Sequence, residues 1–198
     1  KSRSRGLGDV YKRQEEMSLD LGGALSNIAG GTTNILPNGN FGPVYESNPL
    51  VEDIWISGLP RLHIDVSTST LGGQIYALLE DCSETGDCIH IGHAIMDLRY
   101  HEGGSDEQTW IPILETINAK MEFFAMDVQI EAGHTIRLSL ASTGEDYLPA
   151  STSSVVTVQE GPGSNLILDV IDSDSKLLFD PPACTHVVCE EWLNQTSI

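Results

Sequence analysis

The sequence predicts an all-β domain, a jelly-roll-like two-sheet β-sandwich. Three observations carry that reading. Apolar residues alternate with period two through most of the chain after Glu52, Gly/Ser/Asp turns separate the alternating runs, and no segment shows a 3.6-residue apolar stripe.

The alternating runs are taken in order. After Ile54 and Ile56, the residues Leu62, Ile64 and Val66 point one way while His63, Asp65 and Ser67 point the other. That pattern marks a strand buried on one face. Gln74 to Glu80 is apolar on both faces, as a central strand would be. From Ile89 to Leu98 the apolar phase slips by one, which a β-bulge near Gly92-His93 would produce. Met121 and Phe123 give way to Phe124, Met126, Val128 and Ile130 in the same manner. Ile136, Leu138 and Leu140 alternate against Thr135, Arg137 and Ser139. Val156 and Val158 follow a linker at Pro149–Ser154, and Leu166, Leu168 and Val170 close the series. About eight or nine short strands result, enough for two packed sheets.

The ends of the chain read differently. Residues 1–14 hold Lys1, Arg3, Arg5, Lys12 and Arg13, half of the 10 Lys and Arg in the protein. Their last six residues, Asp9 to Gln14, resemble the translation of a transposase adaptor used in sequencing libraries, and are set aside from fold reasoning. A basic arm for nucleic acid is the alternative. Under the adaptor reading the natural N-terminus lies upstream. Residues 15–43 are rich in Gly, Asn and Pro, with turn chemistry at Gly22-Gly23, Gly30-Gly31 and Pro37 to Pro43, and read as a connector. Residues 44–172 are expected to form the sandwich, and 173–198 an acidic, cysteine-containing tail.

Charge narrows the partners. With 29 Asp and Glu the formal net charge is −19. Such a surface repels nucleic acid phosphates and anionic lipid, so neither partner is expected. No apolar run approaches the roughly 18 residues of a membrane span. The four cysteines form two close pairs, Cys82 with Cys88 and Cys184 with Cys189. Neither pair has the C-x2-C spacing of a structural zinc site or a thioredoxin-type redox pair. Two local disulfides imply export to an oxidising compartment; four free thiols in a cytoplasmic protein are the alternative.

Three phrases resemble a known family. Tyr45 to Gly58, with Ser47, Pro49-Leu50 and Asp53, looks like the start of the C-terminal domain of X-prolyl dipeptidyl-peptidases and cocaine-esterase-like (CocE/NonD) hydrolases. Gly133-His134-Thr135-Ile136-Arg137-Leu138 is similar to a strand near the middle of that domain, and Gly92 to Arg99 to a third. The resemblance covers roughly residues 43–171; the cysteine pairs and the tail after Asp172 depart from it. It implies a Ser-His-Asp hydrolase acting on Xaa-Pro peptides, esters or amides. Its triad would lie in an upstream α/β-hydrolase domain, and this domain would pack on that one and help wall the pocket.

No catalytic residue is expected in the chain itself. The G-x-S-x-G nucleophile elbow is absent, and Ser57 and Ser142 sit in strand-like or turn sequence. His90 and His93 are three apart on a strand and point to opposite faces unless the bulge intervenes, which argues against joint metal ligation. Asp169, Asp172, Asp174 and Asp180 lack the Gly and Glu of a calcium loop; Asp81, Glu84 and Asp87 are read as a solvated loop. No metal and no cofactor is therefore expected. His134 and Trp110 are the candidates for a pocket or interdomain face, His134 with a structural hydrogen-bonding role. Trp55 is read as core or interdomain packing, with Tyr147 a further aromatic to place. Asn194-Gln195-Thr196 matches a glycosylation sequon. A free-standing extracellular carbohydrate-binding or structural module is the alternative function.

Overall fold

Period-two alternation becomes strand wherever one face finds a core. The computed structural model describes residues 14–26, 32–37, 42–102, 108–144, 146–150 and 153–171. The adaptor-like residues 1–13, the tail with Cys184, Cys189 and the sequon, and Asp172, Asp174 and Asp180 lie outside the described residues. In chain order the strands are β1 (Gln14–Asp20), β2 (Leu25–Ser26), β3 (Thr32–Ile35), β4 (Val44–Ser47), β5 (Ile54–Gly58), β6 (Arg61–Thr68) and β7 (Gln74–Cys82). They continue as β8 (Cys88–Asp97), β9 (Ile117–Glu122), β10 (Met126–Ile130), β11 (Thr135–Ala141), β12 (Val156–Gln159) and β13 (Asn165–Ile171). One turn of 3-10 helix, Leu98–Tyr100, follows β8.

The strands form two antiparallel sheets, the all-β sandwich that the alternation predicts. In the first, strands join end to end into long lanes. β5 and β6 are separated only by Leu59-Pro60, and β10 and β9 run beside them as one continuous partner. On the other side β13 and β12 form a second lane, and β1 and β3 form an outer third against it. The second sheet has the order β2-β4-β11-β7-β8. Between the sheets lie Leu62, Ile64 and Val66, Ile75, Ala77 and Leu79, and Ile136, Leu138 and Leu140, all buried as their parity requires. Each such Leu, Ile or Val contributes about 1.5–3 kcal/mol relative to exposure.

Both expected phase slips are present. The β7–β8 register passes from Leu79 opposite Gly92 to Glu80 opposite His90, leaving Ile91 as an extra residue. The other slip is the break between β9 and β10, where the Phe123 amide donates to the Pro60 carbonyl at 2.9 Å.

One expectation is corrected. Residues 15–43 do not form a connector: β1 and β3 pair with β13 and β12, and β2 pairs with β4 in the opposite sheet. Leu21, Leu25 and Ile35 are fully buried. The segment thus crosses from one sheet to the other and back. Among the described residues the turn at Gly22-Gly23 leads from β1 to β2, and β2, with 2 residues, and β3, with 4, are too short to show a period.

Cys82 and Cys88 are disulfide-bonded across the first pair of the β7–β8 hairpin. The bond suits a non-cytosolic location, and among the described residues no helix is long and apolar enough to cross a membrane. Closing so short a loop stabilises by about 2 kcal/mol. Reduction should therefore lower the melting temperature by several degrees, and peptide mapping without reductant should find Cys82 and Cys88 protected from alkylation. Their free reaction with alkylating agent would contradict the pairing.

Candidate functional site

Two hydrogen-bonded centres hold the sequence-predicted residues, at opposite ends of the sandwich. The first begins at Asp97, which ends β8. Its carboxylate caps the following 3-10 turn by accepting from the Arg99 amide at 3.0 Å, and it accepts from Arg99 Nε at 3.0 and 3.1 Å and from Nη2. Burial raises the Asp97 carboxyl, but the hydrogen bonds and charge of Arg99 outweigh it and hold the group below its ordinary 3.8. Arg99 also reaches forward. Its Nη1 donates to Gln108 Oε1 at 3.3 Å, and its carbonyl accepts from the Thr109 amide at 2.7 Å. Thr109 Oγ1 donates to Glu102, and Gln108 to the Tyr100 hydroxyl. These bonds present Trp110, which is 62% exposed.

Trp110 is not an isolated apolar residue there. Next to it Ile111 is buried and its amide faces the Leu71 carbonyl at 3.4 Å, while the Leu114 amide donates to Thr68 at 2.9 Å. Leu71, Trp110, Ile113 and Leu114 therefore share one end of the molecule, and each is substantially exposed. Leu114 has φ 63°, in the left-handed region, and is 74% exposed. A bulky residue in that conformation carries strain, and here no core burial offsets it.

The second centre is built around His134. Its Nδ1 bonds Asp81 Oδ1 at 2.7 Å. The His134 carbonyl accepts from the Leu50 amide, and the Gly133 amide donates to the Leu50 carbonyl, both at 2.8 Å. Gly133 has φ 86°, which permits this close turn. Asp53 accepts from the Ala132 amide at 2.9 Å and from Gln129, Ser47 Oγ accepts from the Ile136 amide at 2.9 Å, and Glu46 accepts from Thr135 at 2.6 Å. The 45–58 and 133–138 phrases are thus one knot tied across their own backbones. His134 sits in it through its bond to Asp81.

The two candidates do not meet. Leu71, against the Trp110 loop, precedes β7, whereas Asp81 is near the far end of that strand, about 23 Å beyond its first residue by strand rise. One pocket cannot include both. Ser142 is buried, and Ser57 lies within β5. Asp169 pairs with Arg61 at 3.1 Å. Trp55, half-buried on β5, donates from its indole N–H to Asp127. Surface hollows lined by Asp20, Gly22 and Glu160, and by His101, Asn118 and Lys120, contain neither candidate. Among the described residues no three His, Cys, Asp or Glu side chains gather as metal ligands.

For the histidines the exception made for a bulge applies. His90 and His93 share a face because the extra residue Ile91 lies between them, and their ring nitrogens are 3.3 Å apart. The phase slip in the sequence is the signal that could have found this. The Asp97–Arg99 lock had no signal beyond its short spacing.

Comparison with known proteins follows the same geometry. The family described as the X-Pro dipeptidyl-peptidase C-terminal non-catalytic domain matches residues 29–178. The chain belongs to this family. The match starts ahead of the phrases that resemble it and takes in β3, in keeping with the corrected boundary. Among solved structures, a CocE/NonD family hydrolase from Staphylococcus aureus superposes with a TM-score of 0.68 at 12% identity, over 81% of this chain and 37% of its own. An α-amino acid ester hydrolase gives 0.57 at 20% identity, over 65% and 25%. An aminopeptidase from a marine sediment Thaumarchaeota archaeon gives 0.57 at 15%, over 66% and 26%. At these identities the likeness is one of fold. The chain spans little more than a third of the length of the first of these hydrolases. No curated protein matches it significantly.

The Asp97–Arg99 lock of this PepX-type domain has a pH signature. Because the folded carboxyl lies below 3.8, its stabilisation is complete above that value and disappears as pH falls through the lower folded value. Asp97→Asn should cost about 1 kcal/mol at neutral pH. Thermal melts of both proteins should converge on acidification below pH 3.8. A gap that persists at that acidity would mean the charge is not what the lock uses.

Proposed function

We propose that this chain is the C-terminal β-sandwich domain of a serine hydrolase, an Xaa-Pro dipeptidyl-peptidase or a related esterase or acylase. It packs on an upstream α/β-hydrolase domain and helps shape that domain's pocket. The observation that carries the reading is the family match over residues 29–178, to a domain described as non-catalytic. Its span of 37% of a fold-related hydrolase chain supports it. The peptide or ester substrate is then reached through the catalytic domain, where Ser attacks, His moves the proton and backbone amides hold the oxyanion. The disulfide supports an exported parent.

Within this reading, the end carrying Leu71, Trp110, Ile113 and Leu114 is the face against the catalytic domain. Four exposed apolar side chains at one place, one of them in a strained backbone conformation, are the composition of a surface that is covered in its working state. His134 belongs to the knot and holds the fold rather than the substrate.

Two experiments test the proposal. The upstream coding sequence should show an α/β pattern with G-x-S-x-G, then Asp and His in that order; a second β-domain or a signal peptide directly before residue 15 would sink it. The full-length enzyme should hydrolyse Xaa-Pro anilides or short-chain esters and lose that activity on Ser→Ala at the elbow, while the pure 198-residue chain hydrolyses neither. For the docking face, Trp110→Ala should change the isolated domain by no more than about 0.5 kcal/mol, as for an exposed residue. In the full-length enzyme the same change should lower the temperature at which activity is lost. Equal effects in both contexts would remove Trp110 from the interface.

A further inference from the structure

The outer face of β7 and β8 carries a group of rings that the proposed docking face does not include. Ile75, Ala77 and Leu79 of β7 point into the core, so Tyr76 points outward. His93 stacks on Tyr76 with centroids 5.8 Å apart, and Phe124 meets the His93 ring edge-on at 5.6 Å. The bulge at Ile91 turns His90 to the same side. His90 Nε2 and His93 Nδ1 stand 3.3 Å apart, and the other nitrogen of His93, Nε2, bonds the Tyr147 hydroxyl at 2.8 Å.

The Tyr147 contact is itself held in place. Thr143 Oγ1 donates to the Tyr147 carbonyl at 2.8 Å, and the Tyr147 amide donates to Gly144 at 3.1 Å. A Cβ on Gly144 would fall 2.7 Å from the Tyr76 ring, so only glycine lets this loop lie so close to β7.

We propose that His90 and His93 form a two-ligand site for a borderline divalent transition-metal ion such as zinc, with Tyr147 as the outer-shell partner of His93. Three features of the geometry support it. Zinc–imidazole bonds of about 2.0–2.1 Å meeting at the tetrahedral angle set their nitrogens roughly 3.3–3.4 Å apart, the spacing found here. When His93 donates Nε2–H to Tyr147, its Nδ1 keeps a lone pair on the side facing His90, the way ligating histidines are oriented by their second nitrogen. The His93 ring also stacks on Tyr76 and meets Phe124, contacts that restrict it before ligation. With the metal bound, His90 carries its proton on Nδ1 and coordinates through Nε2. Two coordination positions remain for water or for a donor outside this domain. Imidazole nitrogen selects zinc, copper or nickel over magnesium and calcium. The acidic surface raises the local concentration of any cation.

The test is a zinc titration of the 198-residue chain, in a background with Cys184→Ser, His186→Ala and Cys189→Ser so that the tail contributes no soft ligand. Calorimetry should show one-to-one binding that magnesium in excess does not displace, and the ring NMR signals of His90 and His93 should shift together. His90→Ala or His93→Ala should abolish that binding, and Tyr147→Phe should weaken it by about tenfold or more. Metal-free melts of the variants check that the fold persists, and His90, being exposed, gives a variant safe from collapse. Zinc binding unchanged in His90→Ala, binding that magnesium displaces, or no one-to-one binding at all would each overturn the site.

Discussion

The break at Leu59-Pro60 decides how the first sheet pairs. It turns one lane into β5 and β6, and the neighbouring lane copies it, because Phe123 bonds the Pro60 carbonyl at the point where β9 gives way to β10. Proline offers no amide to a ladder and so ends regular pairing without leaving a donor orphaned. With the lane broken there, β6 holds β9 on one side and both β12 and β13 on the other. The first sheet can then curl around the apolar side chains that β7 and β11 send from the second.

The same economy explains why short phrases identify the family when overall identity to solved relatives is only 12–20%. The Ser47 and Asp53 side chains each bond groups between Gln129 and Ile136. A side chain that satisfies a specific backbone group cannot drift as an apolar core residue can, since any aliphatic of similar volume fills the latter role. The phrase residues record the knot that joins the start of the domain to its middle, and not a chemical step. That agrees with a domain described as non-catalytic.

Much of the fold was legible in the sequence, because burial on one face writes itself as period two. β6, β11 and β13 are read directly from it, and β7 from its double apolar face. What escaped was decided by pairing partners far away in sequence. β2 and β3 look like loop because each is short, and together with the 7-residue β1 they take their order from β4, β12 and β13. At the candidate sites, the place of His134 after a glycine at a strand start was legible. The distance between His134 and Trp110 was not, since only topology sets which loops share an end. His90 and His93 show a third case: the slip was visible, and so was the bulge it implies, but its effect on side-chain direction depends on which residue is the extra one.

The bulge at Ile91 has a consequence for assembly as well. β8 is the outer strand of its sheet, and an outer strand offers unpaired amides and carbonyls on which another polypeptide can grow a ladder. An extra residue in the middle of that strand breaks the even spacing of those groups and sharpens the local twist. An incoming strand would keep register on one half of β8 and lose it on the other. The irregularity that turns two histidines to one side therefore also makes this border of the domain a poor template for fibril-like stacking.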